Sequence, residues 1–194
     1  FYMNNYGLFV TGYDINGKRK AFSEVKYIEG VPASSSTDEM FIEVYFNQED
    51  FTQNTISLKR KLNGYYAMNI QPFMNLIPAN RKNEVLDESF AQNTDKDAKV
   101  LKREFINEDP SLFGVQPFEV KFDISSEYFV EKAGNKYLFK LGDLIGPQME
   151  MYQEKKRILP LEAEFNRSYY RTIKIHIPEG YQISNLKDIT IKNS

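Results

Sequence analysis

The run Phe118-Glu119-Val120-Lys121-Phe122-Asp123-Ile124 decides the fold class. Its apolar residues fall at every second position with a charged residue between each pair, which is the pleat spacing of a strand with one wet face. The alternation recurs at Met40, Ile42, Val44 and Phe46, at Tyr137, Phe139 and Leu141, and at Ile173, Ile175 and Ile177. Turn residues separate such stretches. Asn16-Gly17 stands between 9–15 and 21–28, Asn63-Gly64 between 56–62 and 65–70, and Ala133-Gly134-Asn135 between 128–132 and 136–141. Asn-Gly favours the positive φ angles of a two-residue hairpin turn, so three antiparallel hairpins are predicted.

One stretch changes period. From Pro72 onward, Phe73, Leu76 and Ile77 are followed by Val85, Leu86 and Phe90 at helical offsets. Pro78 interrupts this pattern, because its ring clashes with the preceding turn, so the helix is predicted over about 79–92, with Asn93 as its cap. Polar linkers are expected at 33–38, around Ser34-Ser35-Ser36, and at 93–97. The expected fold is mainly β, antiparallel and sandwich-like, with that one helix. A split near the second linker gives a hairpin-rich segment 1–94 ending in the helix and a β-rich segment 95–194. Strands crossing the split would instead make one continuous domain.

Composition excludes more chemistry than it suggests. Among 194 residues, 25 basic and 27 acidic side chains leave a net charge of 25 − 27 = −2. That balance argues against an obligate nucleic-acid partner, which calls for a basic surface. Lys18-Arg19-Lys20, Lys59-Arg60-Lys61 and Lys155-Lys156-Arg157 are short runs expected on solvated edges. With no Cys there is no thiol nucleophile, disulfide or Cys-ligated metal, and a single His rules out a two-His zinc site within the chain. No apolar run approaches the roughly 18–20 residues of a membrane span. The chain opens at Phe1 without an initiator Met and stops just after the strand-like 189–192, so it reads as part of a longer protein.

Candidate chemistry is correspondingly thin. His176 shares the polar phase of its strand with Thr172 and Lys174, which predicts an exposed strand histidine rather than a catalytic one. Glu162 and Glu164 look like the wet side of a strand, and Asp95-Lys96-Asp97 lacks the remaining ligands of a calcium loop. No phosphate-binding glycine motif occurs, so a nucleotide site has no support, and with the ligand spacing also lacking, neither cofactor nor metal is expected. Tyr65, Tyr66, Tyr152, Tyr169, Tyr170 and Tyr181 could stack on sugar rings, although neighbouring tyrosines on a strand point to opposite faces.

The order GNKYLFKLGDLIGPQMEMYQEKKR over 134–157, followed by LPLEAEFNRSYYRTIKIHIPEGYQISNLKD over 159–188, resembles the C-terminal β-rich domain that follows a transglutaminase-like core in large exported bacterial proteins. The segment RKLNGYYAM over 60–68 resembles the hairpin that follows the core in that family. The resemblance implies an extracytoplasmic setting, periplasmic or cell-surface, and a role as accessory domain. It implies no activity for this chain, because the core works through Cys, His and Asp and no Cys is present. The expected function is then a noncatalytic interaction domain whose partners are the other domains of the parent chain. Gln148, Tyr152, Arg157, Tyr169 and Arg171 are its candidate interface residues, since aromatic and Arg side chains supply most interface anchors. A carbohydrate-binding module with a glycan ligand is the alternative.

Overall fold

The computed structural model describes residues 4–93, 95–147, 156, 158 and 163–187. Nine strands occur among them, and the mainly β, antiparallel class read from the alternation is the one observed. Five form the central sheet: β3 (Thr37–Phe46), β4 (Asn54–Leu62), β5 (Lys99–Ile106), β6 (Phe118–Ser126) and β9 (Ser168–His176), in the order β5-β6-β4-β3-β9. All neighbours in it are antiparallel except β3 and β9, which run parallel. The sheet draws β3 and β4 from before residue 94 and its other three strands from after it.

The alternation explains which face is buried. Met40, Ile42 and Val44 of β3 lie beside Leu58 and Ile56 of β4 and Val120, Phe122 and Ile124 of β6, all fully or nearly buried. The layer over this face is built mostly from helical turns. A 3-10 turn at Gln71–Leu76 is followed by the predicted helix, realised as α1 (Lys82–Leu86) continuing into a π turn at Asp87–Ala91. The π turn closes where Gln92 N–H donates to the Asp87 carbonyl at 2.8 Å, so Leu86, Phe90 and Ala91 all reach the core. Phe129 and Leu144 complete the cover beside the small hairpin β7 (Val130–Ala133) and β8 (Lys136–Phe139). Gln71, fully buried, donates from Nε2 to the Asn107 and Gln116 carbonyls at 2.9 and 3.1 Å, fastening the 3-10 turn to the loop before β6.

Two of the three predicted hairpins form. Strands β1 (Asn5–Ile15) and β2 (Lys18–Ile28) pair through Asn16-Gly17, whose φ angles of 52° and 75° suit a type I′ turn. β7 and β8 join through Gly134-Asn135, with only Gly134 at positive φ. Asn63-Gly64 does not make a hairpin. Asn63 stays extended and Gly64 opens a 3-10 turn, Gly64–Tyr66, because both edges of β4 are already taken by β3 and β6. Lys59-Arg60-Lys61 accordingly lies in an interior strand rather than on an edge, with Lys59 and Lys61 on the open face of the sheet. The expected linker at 33–38 is also structured: Ser36, Thr37 and Asp38 are buried at the entry to β3.

The β1–β2 ribbon differs from the other elements among the described residues. Almost all of its residues are exposed, and among the described residues no other element packs extensively against it.

Candidate functional site

At the start of β9, Ser168 N–H donates to the Ser36 carbonyl at 3.0 Å, and the parallel register sets Tyr169 beside Asp38 and Arg171 beside Met40. Both side chains therefore fall on the covered side of the sheet. Asp38 is 1% exposed, and two guanidiniums grip it. Arg60 donates from Nε and Nη2 at 2.8 and 2.9 Å, and Arg171 donates from Nη2 to the carboxylate at 2.5 Å while its Nη1 reaches the Asp38 carbonyl. Burial by itself pushes the Asp38 carboxyl up, but the hydrogen bonds and charges of Arg60 and Arg171 outweigh it, so its pKa lies below the usual value.

An aromatic cluster surrounds this clamp. The Tyr169 ring lies 5.4 Å from Tyr66, which is 5.5 Å from Phe165, and Phe165 is 5.0 Å from Tyr65. Arg171 and Arg167 stand over the Tyr169 ring at 5.2 and 5.9 Å. Burial and the neighbouring Tyr169 hydroxyl raise the Tyr66 pKa above that of an ordinary tyrosine. Of the five candidate interface residues, Tyr169 and Arg171 thus meet at one end of the sheet. Tyr169 is exposed, whereas the Arg171 head group is engaged with Asp38. Gln148, Tyr152 and Arg157 lie outside the described residues.

The opposite face of the sheet is open. Glu43, Tyr45, Lys174 and His176 gather there on β3 and β9. The Tyr45 hydroxyl donates to Glu43, His176 Nε2 lies 3.0 Å from the same carboxylate, and the Tyr45 and His176 rings stack at 4.3 Å. The Tyr45 hydrogen bond, then that of His176, holds the Glu43 carboxyl down to about 2. His176 is therefore a partly exposed strand histidine braced by a carboxylate, with no nucleophile among these contacts. Further along the same face, Phe41 and Tyr170 border an open depression of about 370 Å³ with Glu39, Lys59, Lys61 and Thr172.

The remaining tyrosines divide rather than converge. Tyr65, Tyr66 and Tyr169 join the covered end, Tyr170 faces the depression, and Tyr181 packs 4.8 Å from Phe51 and 6.0 Å from Tyr137. Tyr152 lies outside the described residues. Asp95 accepts from Asp97 N–H at 3.0 Å within its own turn and from the Ser126 hydroxyl at the end of β6 at 2.5 Å, so its carboxylate is used internally. Among the described residues, no group of His and acidic side chains is arranged to hold a metal ion.

Sequence reasoning missed the Asp38 clamp, although a signal for it existed. Arg60 shares the apolar phase of Ile56, Leu58 and Leu62, and Arg171 that of Ile173 and Ile175, so each placed a charge on a buried face. Comparison with known proteins finds no matching family model, no matching curated protein and no matching solved structure.

Proposed function

We propose that the chain is a noncatalytic interaction module of an exported protein built around a transglutaminase-like core, working in the periplasm or at the cell surface. The observation that supports this reading is the β1–β2 ribbon. An isolated two-stranded hairpin is marginal in water, and this one leaves large apolar side chains exposed along its length. A surface of that kind gains stability when another protein surface covers it. Amide hydrogen exchange tests the reading in the longer parent protein at tens of micromolar. Amides of β1 and β2 are expected to exchange at least tenfold slower than those of a peptide spanning 4–30. Equal rates would remove the ribbon as a docking element.

The open depression favours a second reading, a glycan site in which sugar rings stack on Phe41 and Tyr170 while Glu39, Lys59 and Lys61 supply polar partners. Calorimetric titration with neutral oligosaccharides should then show binding that Tyr170→Ala weakens at least tenfold. Absence of heat at millimolar sugar would end this reading.

A further inference from the structure

We infer that the partner of the β1–β2 ribbon is a second copy of the same ribbon, stacked face to face about a two-fold axis. This rests on reading the chain as an interaction module, and it names what that module binds.

The register sorts the ribbon into two unlike faces. One carries the cross-strand pairs Tyr6–Tyr27, Leu8–Val25, Val10–Ser23, Gly12–Ala21 and Asp14–Arg19. The other carries Gly7–Lys26, Phe9–Glu24, Thr11–Phe22, Tyr13–Lys20 and Ile15–Lys18, so charge interrupts it throughout. On that second face Lys26 binds Glu24 at 2.6 Å and lies 5.9 Å from the Phe9 ring centre. The first face has its only charged pair next to the turn, and its apolar members are open to solvent: Tyr6 71%, Leu8 67%, Val10 62%, Val25 65% and Tyr27 50%.

The sizes along this face are what select a second copy. Tyr6 and Tyr27 are large, Leu8 and Val25 intermediate, and Gly12 and Ala21 small, in order from the base of the ribbon toward its turn. A two-fold axis lying between the two sheets and across the strands, level with Phe9, sets Tyr6 over Gly12 of the second copy and Leu8 over its Val10. The same operation sets Val25 over Ser23 and Tyr27 over Ala21. Each tyrosine then meets a glycine or an alanine, and Leu8 and Val25 meet Val10 and Ser23, at the spacing of about 10 Å normal for packed sheets. The Asp14–Arg19 pair falls beyond the partner's tyrosines, level with Asn4 and Glu29 at the base of the second ribbon. Such a contact is isologous and closes after two copies. The five exposed side chains present on the order of 500 Å² per copy, near the lower limit of a specific interface at roughly 600 Å² per partner.

Analytical ultracentrifugation over a hundredfold concentration range tests the assignment on the chain and on its longer parent. A saturable monomer–dimer equilibrium is expected. Leu8→Lys should raise the dissociation constant more than tenfold, with the far-UV spectrum and melting of the main sheet unchanged, while Thr11→Lys on the charged face should leave association intact. Gly12→Leu discriminates further. Its backbone is free of positive φ and a Cβ there meets nothing closer than the Lys20 carbonyl oxygen at 4.0 Å, so the variant tolerates a side chain. It adds apolar surface yet fills the slot beneath Tyr6, so it should weaken the dimer at least tenfold, whereas undirected stickiness would grow. Strengthened association with Gly12→Leu, or open-ended oligomers in the wild type, overturns the two-fold pairing. A monomer at every concentration whose ribbon amides are nevertheless slowed in the parent also overturns it, and leaves the interaction-module reading standing with another domain as the cover. A monomer with unprotected ribbon amides sinks both.

Discussion

Asp38→Ala should lower the free energy of unfolding by about 3 kcal/mol, the lower end of the range for breaking a buried ion pair. The lower end applies because Arg60 and Arg171 keep about a fifth of their side-chain surface in water and can recruit it when the carboxylate goes. The loss reflects stranded guanidiniums more than a missing attraction. Replacing all three residues by apolar ones of similar volume, as in Asp38→Val with Arg60→Leu and Arg171→Leu, should therefore recover most of it. Urea unfolding at neutral pH provides the comparison; a triple variant no more stable than Asp38→Ala would refute this account. The pH dependence has a fixed sign. Because the folded pKa of Asp38 is held below the ordinary carboxylate value of roughly 3.9, its contribution is present above that pH and is lost as pH falls through the folded value. Asp38→Asn should accordingly flatten the acid limb of the stability profile below about pH 4, and an unchanged limb would contradict the clamp.

Gly64→Ala should cost about 3 kcal/mol, against about 1 for Gly17→Ala, although both glycines have positive φ and both follow an asparagine. The difference lies in the surroundings. A Cβ on Gly17 meets nothing within 4 Å, whereas one on Gly64 would stand 2.1 Å from the Ser35 carbonyl oxygen and 2.8 Å from Ser36 Oγ. The obstacle at Gly64 is backbone, so relief requires moving the 3-10 turn Ala33–Ser35 away from the entry of β3. Denaturant midpoints of the two variants measured side by side check this, and equal losses would show that left-handed strain alone sets the cost.

That contrast also marks what the sequence could express. Alternation at Phe118, Val120, Phe122 and Ile124 identified a half-buried strand because the period of two is set within one segment, whatever its partners. The helix around Leu86 and Phe90 was legible for the same reason. Asn16-Gly17 and Asn63-Gly64 are identical dipeptides with different outcomes, because the strands beside β4 are contributed from elsewhere in the chain. Asp38 was hidden by its company: after three serines it reads as a linker, and only its phase with Met40, Ile42 and Val44 betrayed a buried position. Of the candidate interface residues, Tyr169 and Arg171 lie at one place because proximity along the chain puts them on the same strand. That proximity could not reveal that Arg171 was committed to a carboxylate 133 positions earlier.

This separation bears on folding. β9 is the last strand of the central sheet in chain order, and until it docks the outer edge of β3 offers an unpaired backbone and Asp38 holds Arg60 alone. Parallel pairing across so long a stretch of chain is slow to form. A folding chain thus passes through a period in which β3 can be captured by a foreign strand, and the arrival of Arg171 closes it.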